Sequence, residues 1–399
     1  MKTPLVVSLE QALSMTYATQ RMVQLGWRVI KLEAAGPPGS RRGDPNRYVG
    51  RQVAGADRHA YFVAPNLGKE SLAIDLKHPE GQRLLHRLLE RLQVDVFCTN
   101  TLPAHHRKLG IDYDTLQAVR PELVWCCISA QGLDHPAVPG YDPVVQARVG
   151  YMDLTGEPDG PPLLCGVPLV DLKAGDEAFS QVLLALWERE HSGRGRLIDV
   201  SMARAAASWL PTFLPLLDMD SPPGQLRRSG NRHRQFFPVD AYRTADGYLY
   251  LAVGADAQWR RLCAQPEFAE LDRPEWSSNE GRRAGGESLH RAITAITSRF
   301  SGAELSAVLT RAGIPHAPIS RIEQVFELED LAGKFLHTRT PDGRRVRLPP
   351  AAVDTGHLAA SGGELPFCPA YGEHTACILS EIGLAEEEIA ELRRQAVVV

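Results

Sequence analysis

Apolar residues recur along this chain as short runs separated by longer stretches in which they are spaced three and four apart. Leu5-Val6-Val7-Ser8-Leu9 reads as a buried strand. Tyr17, Met22, Val23 and Leu25 then follow at helical spacing over 16–26, closed by Gly26, and Arg28-Val29-Ile30-Lys31-Leu32-Glu33 is a second strand. Such an opening predicts parallel strands joined by a right-handed crossover. Residues 71–76 alternate as a strand, and a helix over 82–92 turns Leu84, Leu85, Leu88, Leu89 and Leu92 to one side. Residues 94–100 and 123–128 predict two more strands, and Pro121 ends a short helix near 116–119. The alternation predicts a doubly wound α/β domain.

Further on, a Gly- and Pro-rich approach leads through a short apolar run to Asp171, after which Ala174, Ala178, Val182, Leu186 and Trp187 mark one face of a helix ending near Gly193. Asp171 is thus expected at a strand-to-helix junction. The unpaired N–H groups and dipole of the helix favour an ionised carboxylate there, and an ionised carboxylate is a nucleophile. The same position equally suits a plain capping residue. A strand over 195–201 and a helix over 203–209 precede the break at Ser221-Pro222-Pro223-Gly224. A hairpin about Ala245-Asp246-Gly247, a Trp259-centred helix, a charged helical region, a helix over 305–312, a turn at Asp342-Gly343 and an amphipathic helix over 385–395 complete the chain.

A length of 399 residues exceeds one typical core and predicts two or three domains' worth of fold. Lys and Arg (44) nearly balance Asp and Glu (48), so no overall field draws in nucleic acid or an anionic membrane, and an anionic ligand must be held by local groups. Seven cysteines without a repeated CxxC spacing read as reduced and buried in a cytoplasmic protein. Glu10 cuts the first apolar stretch short of a signal-peptide core, and no run approaches the roughly 20 apolar residues of a membrane helix. There is no GxGxxG after the first strand, no phosphate-binding P-loop, no zinc-type spacing and no GxSxG, so nicotinamide, nucleotide hydrolysis and metal or redox cofactors are unsupported. His105-His106 reads as a surface pair. The loop over 34–55 carries Arg41, Arg42, Arg47 and Arg51, which suits either a phosphate clamp or a solvated charged loop.

Several separated segments combine into a more specific signal: 66–81 (NLGKESLAIDLKHPEG), 139–147 (PGYDPVVQA), 154–162 (LTGEPDGPP), 193–202 (GRGRLIDVSM), Ala312-Gly313-Ile314-Pro315-His316-Ala317-Pro318 and Gly372-Glu373-His374-Thr375. In this order they closely resemble the class III CoA-transferases, the family of formyl-CoA and carnitine CoA-transferases, with α-methylacyl-CoA racemase as a relative. The resemblance implies an α/β fold with a Rossmann-like large lobe built from both chain ends (1–220 and 331–399), a smaller α/β lobe (221–330), and two ring-like subunits interlocked as a dimer. It implies a homodimer, with a hetero-oligomer containing a related subunit as the other arrangement.

The resemblance also implies an acyl-CoA:carboxylate CoA-transferase in which Asp171 attacks the acyl-CoA thioester, forming a mixed anhydride and then an aspartyl-CoA thioester. Coenzyme A would contact Leu13 and Ser14, the run Ile74, Asp75, Leu76 and Lys77, then Asn100, Thr101, Leu102 and Lys108, and finally Pro139, Gly140, Tyr141 and Asp142. Lys108 and Leu102 stand where arginine is common in the family, which removes phosphate ligands or loosens their geometry. The racemase relative needs a histidine where this chain has Tyr141, a poor proton shuttle with an ordinary pKa of about 10. Racemisation is therefore the alternative, as is a CoA-binding but inactive subunit of a hetero-oligomer. The glycine-rich loop of formyl-CoA transferase is replaced by 229–237, which argues against oxalate. Arg232, His233 and Arg234 there are candidates for binding the second carboxylate of a dicarboxylic acid, with a solvated turn as the other reading.

Overall fold

The computed structural model describes residues 3–36 and 42–399, so Arg41 lies outside the described residues. The chain divides into two compact units, one of Met1–Val149, Cys165–Leu214 and Gly333–Val399, the other of Gly150–Leu164 and Pro215–Ala332. The second unit thus includes 150–164, a stretch that a boundary near 220 leaves in the first.

Six strands of the first unit form one parallel sheet: β1 (Leu5–Leu9), β2 (Arg28–Ala34), β3 (Glu70–Ile74), β4 (Val96–Thr99), β5 (Val124–Ser129) and β6 (Leu197–Ser201). Their spatial order is β3-β2-β1-β4-β5-β6. The chain thus winds outward from β1 in one direction and from β4 in the other. The connections leaving these neighbours at their carboxyl ends diverge, opening the crevice in which doubly wound sheets bind ligands.

Strands covered on both faces need near-continuous apolar runs, and all six residues of β5 are buried. On one face of the sheet, helix α2 (Pro79–Arg91) turns Leu84, Leu85, Leu88 and Leu89 against Leu5, Val7, Ile30, Leu32 and Phe97. Each such leucine contributes roughly 1.5–3 kcal/mol. The opposite face is unexpectedly polar beneath α1 (Ser14–Gln24): Ser8, Lys31 and Ser71 lie side by side in register across β1, β2 and β3, all fully buried.

Three further helices of this unit matter below: α3 (Asp142–Arg148), α4 (Leu169–Ser192) and α5 (Met202–Ala207). The approach to α4 is irregular, with no strand over 161–168, so Asp171 is not at a strand-to-helix junction. It is inside the first turn, because the helix begins at Leu169. The buried face of α4 is Val170, Ala174, Gly175, Ala178, Phe179, Val182 and Ala185, whereas Trp187, expected to share it, is 64% exposed.

The second unit pairs β7 (Val239–Arg243) with β8 (Tyr248–Ala252) as the expected hairpin and adds β9 (His316–Pro318) antiparallel to β8. Its core joins Leu249 and Leu251 to Trp259 and Leu262 of α6 (Asp256–Cys263), Ile293 of α7 (Asn279–Thr297) and Leu305 of α8 (Gly302–Arg311). Back in the first unit, β10 (Phe335–Arg339) and β11 (Arg345–Pro350) form the expected hairpin, followed by α9 (Thr375–Glu381) and α10 (Glu386–Arg394). The chain end returns to the edge of the sheet, where Asp75 donates its N–H to the Val397 carbonyl at 2.8 Å. Among the described residues no helix is long and apolar enough to cross a membrane.

Candidate active site

The crevice predicted by the strand order holds two cavities. One, outside β1, β2 and β3, is lined by Leu9, Glu10, Gln11, Glu33, Asp44 and the run Ile74 to Lys77, with Thr101 beside it. The other, outside β1, β4, β5 and β6, is lined by Gln11, Ala12, Ser14, Asn100, Leu102, Ser129, Pro139, Gly140, Tyr141, Asp171 and Met202. Gln11 belongs to both, so the turn from β1 into α1 is their common wall. Asp171 is the only carboxylate lining the second cavity among the described residues.

The start of α4 explains how Asp171 is held. Its first N–H, from Leu169, reaches the Val167 carbonyl at 2.8 Å. The next two, from Val170 and Asp171, both donate to Oδ2 of Asp142, at 2.7 and 3.2 Å. Orphan donors of a helix start are thus satisfied by a carboxylate 29 residues earlier in the chain. Asp142 is itself fixed one turn further on, where Gln146 donates Nε2–H to Oδ1 at 2.6 Å. Gln146 also accepts the Cys165 N–H at 3.3 Å, which ties down the approach to the helix. The segment before Asp142 is positioned by a close contact: a Cβ on Gly140 would come within 2.6 Å of the Ala130 Cβ, so only glycine fits.

This arrangement reverses the electrostatics expected from a helix start. Burial, and then the Asp142 carboxylate beside it, push the Asp171 carboxyl up to about 7. Asp142 uses the positive end of the helix, leaving Asp171 with a half-buried position and a like charge as neighbour. A carboxyl poised there is about half ionised at neutral pH and more basic than an ordinary aspartate, which suits a nucleophile whose task is to add to a carbonyl.

The expected site residues fall into four groups. Ser14, Asn100, Leu102, Pro139, Gly140, Tyr141 and Asp171 line the second cavity. Ile74, Asp75, Leu76, Lys77 and Thr101 line the first. Leu13, Lys108 and Asp142 line neither; Leu13 caps α1, Lys108 is exposed, and Asp142 is buried behind the start of α4. Arg232, His233 and Arg234 belong to the second unit and have partners within it. Arg232 pairs with Asp240 and Glu287, His233 accepts the N–H groups of Gln235 and Phe236 through Nδ1, and Arg234 donates to the Arg227 carbonyl.

Other expectations are corrected. His106 is buried, not at the surface. Burial keeps its pKa below the ordinary value, so the neutral ring donates Nε2–H to the Thr101 carbonyl at 2.8 Å. Arg47 is neither a phosphate clamp nor solvated, being fully buried against Glu33 at 2.5 Å. All seven cysteines are free, but Cys377 is exposed. Gln11, Ser129 and Met202 escaped the sequence reading, although each lies just beyond or at the carboxyl end of a strand, where the strand order places ligands.

The model of CoA-transferase family III matches residues 3–375, and the chain belongs to that family. It is similar to the succinate–glutarate CoA-transferase of Agrobacterium fabrum, with 33% identity over 395 residues covering 96% of this chain and 95% of that protein. The acetyl-CoA:oxalate CoA-transferase of Acetobacter aceti is 33% identical over 393 residues, with 96% and 95% covered. Among solved structures, a CaiB/BaiF family protein from Brucella suis superposes with a TM-score of 0.80 at 30% identity, covering 95% of this chain and 98% of that one. The protein is therefore a CoA-transferase, an enzyme that moves coenzyme A between an acyl-CoA and a carboxylic acid.

Proposed function

We propose that the chain transfers CoA from an acyl-CoA to a dicarboxylic acid through covalent catalysis by Asp171. The observation that carries this reading is the placing of a partly buried carboxylate with a raised pKa, the one carboxylate among the described residues there, in the cavity beyond β1 and β4. In the first exchange, an Asp171 oxygen adds to the thioester carbonyl and the C–S bond breaks, leaving a mixed anhydride and CoA thiolate. The thiolate then attacks the Asp171 carbonyl and releases the donor acid as its carboxylate, leaving an aspartyl-CoA thioester. The acceptor carboxylate attacks this thioester, expelling thiolate, and the thiolate attacks the acceptor's carbonyl in the new anhydride. Acyl-CoA leaves and Asp171 is regenerated, with no proton or electron left over. Each step exchanges one activated carbonyl for another of similar energy.

Dicarboxylic acids are supported by relatives named for glutarate and oxalate, and by a succinyl-CoA:mesaconate CoA-transferase of Haloarcula hispanica, 28% identical over 400 residues. The oxalate enzyme is as similar as the glutarate enzyme, so the acceptor screen begins with succinate, glutarate, mesaconate and oxalate. A dimer is supported by the apolar residues that α4 leaves exposed, Leu183, Leu184 and Trp187, and sedimentation of the purified protein tests it. For the mechanism, the protein is incubated with succinyl-CoA, treated with hydroxylamine and digested. A hydroxamate on the peptide containing Asp171 is expected. An unmodified peptide, from protein that demonstrably binds CoA, would move the reading to the racemase-like or inactive-subunit alternatives.

A further inference from the structure

The polar face of the sheet carries six buried charged groups that the mechanism does not use. Lys69 donates to Glu10 at 2.6 Å, Lys31 to Asp44 at 2.9 Å, and Arg47 grips Glu33 at 2.5 Å. Three cations match three anions. Taking charges out of water is costly, and a buried pair is often replaceable by apolar residues of the same volume without loss of stability. Their presence therefore calls for a use other than cohesion.

That use is legible in the turn that walls the two cavities. Ala12 is left-handed, at φ 57°, a conformation uncommon for a residue with a side chain. Its N–H donates to Oδ1 of Asp44 at 3.3 Å, while Oδ2 of the same carboxylate holds Lys31. Lys31 also donates to the Glu10 carbonyl at 3.1 Å, just before the turn. On its other side, Gln11 exchanges two hydrogen bonds with the Asn100 amide, at 2.9 and 2.8 Å. The turn is thus fastened from beneath by the Lys31–Asp44 pair and from the cavity side by Asn100.

We infer that Asp44, steadied by Lys31, is a positioning residue for the transfer reaction, its carboxylate holding Ala12 left-handed so that Gln11 and Ser14 stand against the cavity of Asp171. This rests on the reading of that cavity as the site of transfer. Two double variants probe the tie, because both delete the Lys31–Asp44 pair as a unit while Glu10 keeps Lys69; the second also removes the acceptor of the Asn46 N–H, which caps the short helix after Asp44. Lys31→Met with Asp44→Asn keeps an oxygen that can accept the Ala12 N–H. Lys31→Met with Asp44→Leu does not, and Asp44→Ala serves where leucine is not accommodated.

With melting temperatures matched, the asparagine variant is expected to keep exchange within a few-fold of the parent. The variant without an acceptor is expected to lose at least tenfold in kcat, with a raised KM for acyl-CoA. Equal rates in the two folded double variants would show that the acceptor at position 44 does not position the turn and would overturn the inference. Asp171→Ala measured alongside keeps the two readings apart. If that variant is active, the site itself is wrong; if it is inactive and the double variants are alike, only the positioning role fails.

Discussion

The Asp142 carboxylate accepts the backbone N–H of Asp171 at 3.2 Å, so the charge that adds to burial in raising the pKa of the Asp171 side chain is fastened to the peptide that carries it. The Asp142 carboxylate cannot leave the Asp171 backbone without breaking the start of α4. Burial and this neighbouring charge together set the pH behaviour.

On the proposed mechanism exchange requires ionised Asp171, so kcat/KM is expected to fall as pH drops through about 7, where burial and Asp142 hold this carboxyl. Asp142→Asn removes the like charge but not the burial, and should move that acid limb to lower pH, at a stability cost of about 1 kcal/mol for the weakened hydrogen bonds. A pH–rate profile of each protein checks both; a limb that stays put in the variant would remove Asp142 from the account.

Asp171→Asn should reduce exchange by at least 1000-fold while leaving CoA binding by calorimetry within a few-fold, since a carboxamide is a poor nucleophile of similar shape. Full activity would end the covalent mechanism.

The same substitution should stabilise the protein in a pH-dependent way. A carboxyl whose folded pKa is raised binds a proton more tightly folded than unfolded, so its destabilising effect is absent below the unfolded value of about 4 and grows until pH passes the folded value. Asp171→Asn is therefore expected to melt a few degrees above the parent at pH 8 and level with it at pH 4. An equal difference at both pH values would contradict the raised pKa.

Gly175 lies one turn beyond Asp171, and a Cβ there would come within 2.7 Å of the Ser14 carbonyl and 2.8 Å of the Tyr17 ring. Gly175→Ala should push α1 from α4, costing about 1–3 kcal/mol by denaturant unfolding and lowering exchange, because Ser14 and Asp171 share a cavity. Unchanged stability would mean that the helices yield freely at this contact.

Removing one member of a buried pair is a different perturbation from removing both. Arg47→Met strands Glu33, which also accepts from Ser71 at 2.6 Å, and should destabilise the fold by about 3–5 kcal/mol. Chemical denaturation measures it; a loss below 1 kcal/mol would show that water reaches Glu33.

The strands were legible because each is a compact apolar run, and α2 because its leucines repeat at helical spacing. The start of α4 was not, since Leu169 and Val170 are equally at home in a buried strand and their cap, Asp142, is distant in sequence. The buried ion pairs were hidden for a related reason. Arg47 sits among glycines, prolines and other arginines, a composition that suits a phosphate clamp or a solvated loop, while Lys31 and Glu33 are simply residues of the second strand. What distinguishes them is the folding of the 42–48 segment back onto β2, which brings Asp44 to Lys31 and Arg47 to Glu33 and which no single stretch of chain displays. The class of reaction emerged from resemblance in several separated motifs; the geometry around Asp171 needed coordinates.

The turn shared by the two cavities has a consequence for how binding energy is used. If a long ligand occupies both, its contacts in the β1–β3 cavity press on the same peptide that borders the Asp171 cavity, so that on the proposed mechanism remote recognition becomes an input to the chemistry. A truncated thioester that reaches only the Asp171 cavity would then be a slow substrate even at saturation, its penalty appearing in turnover as well as in affinity.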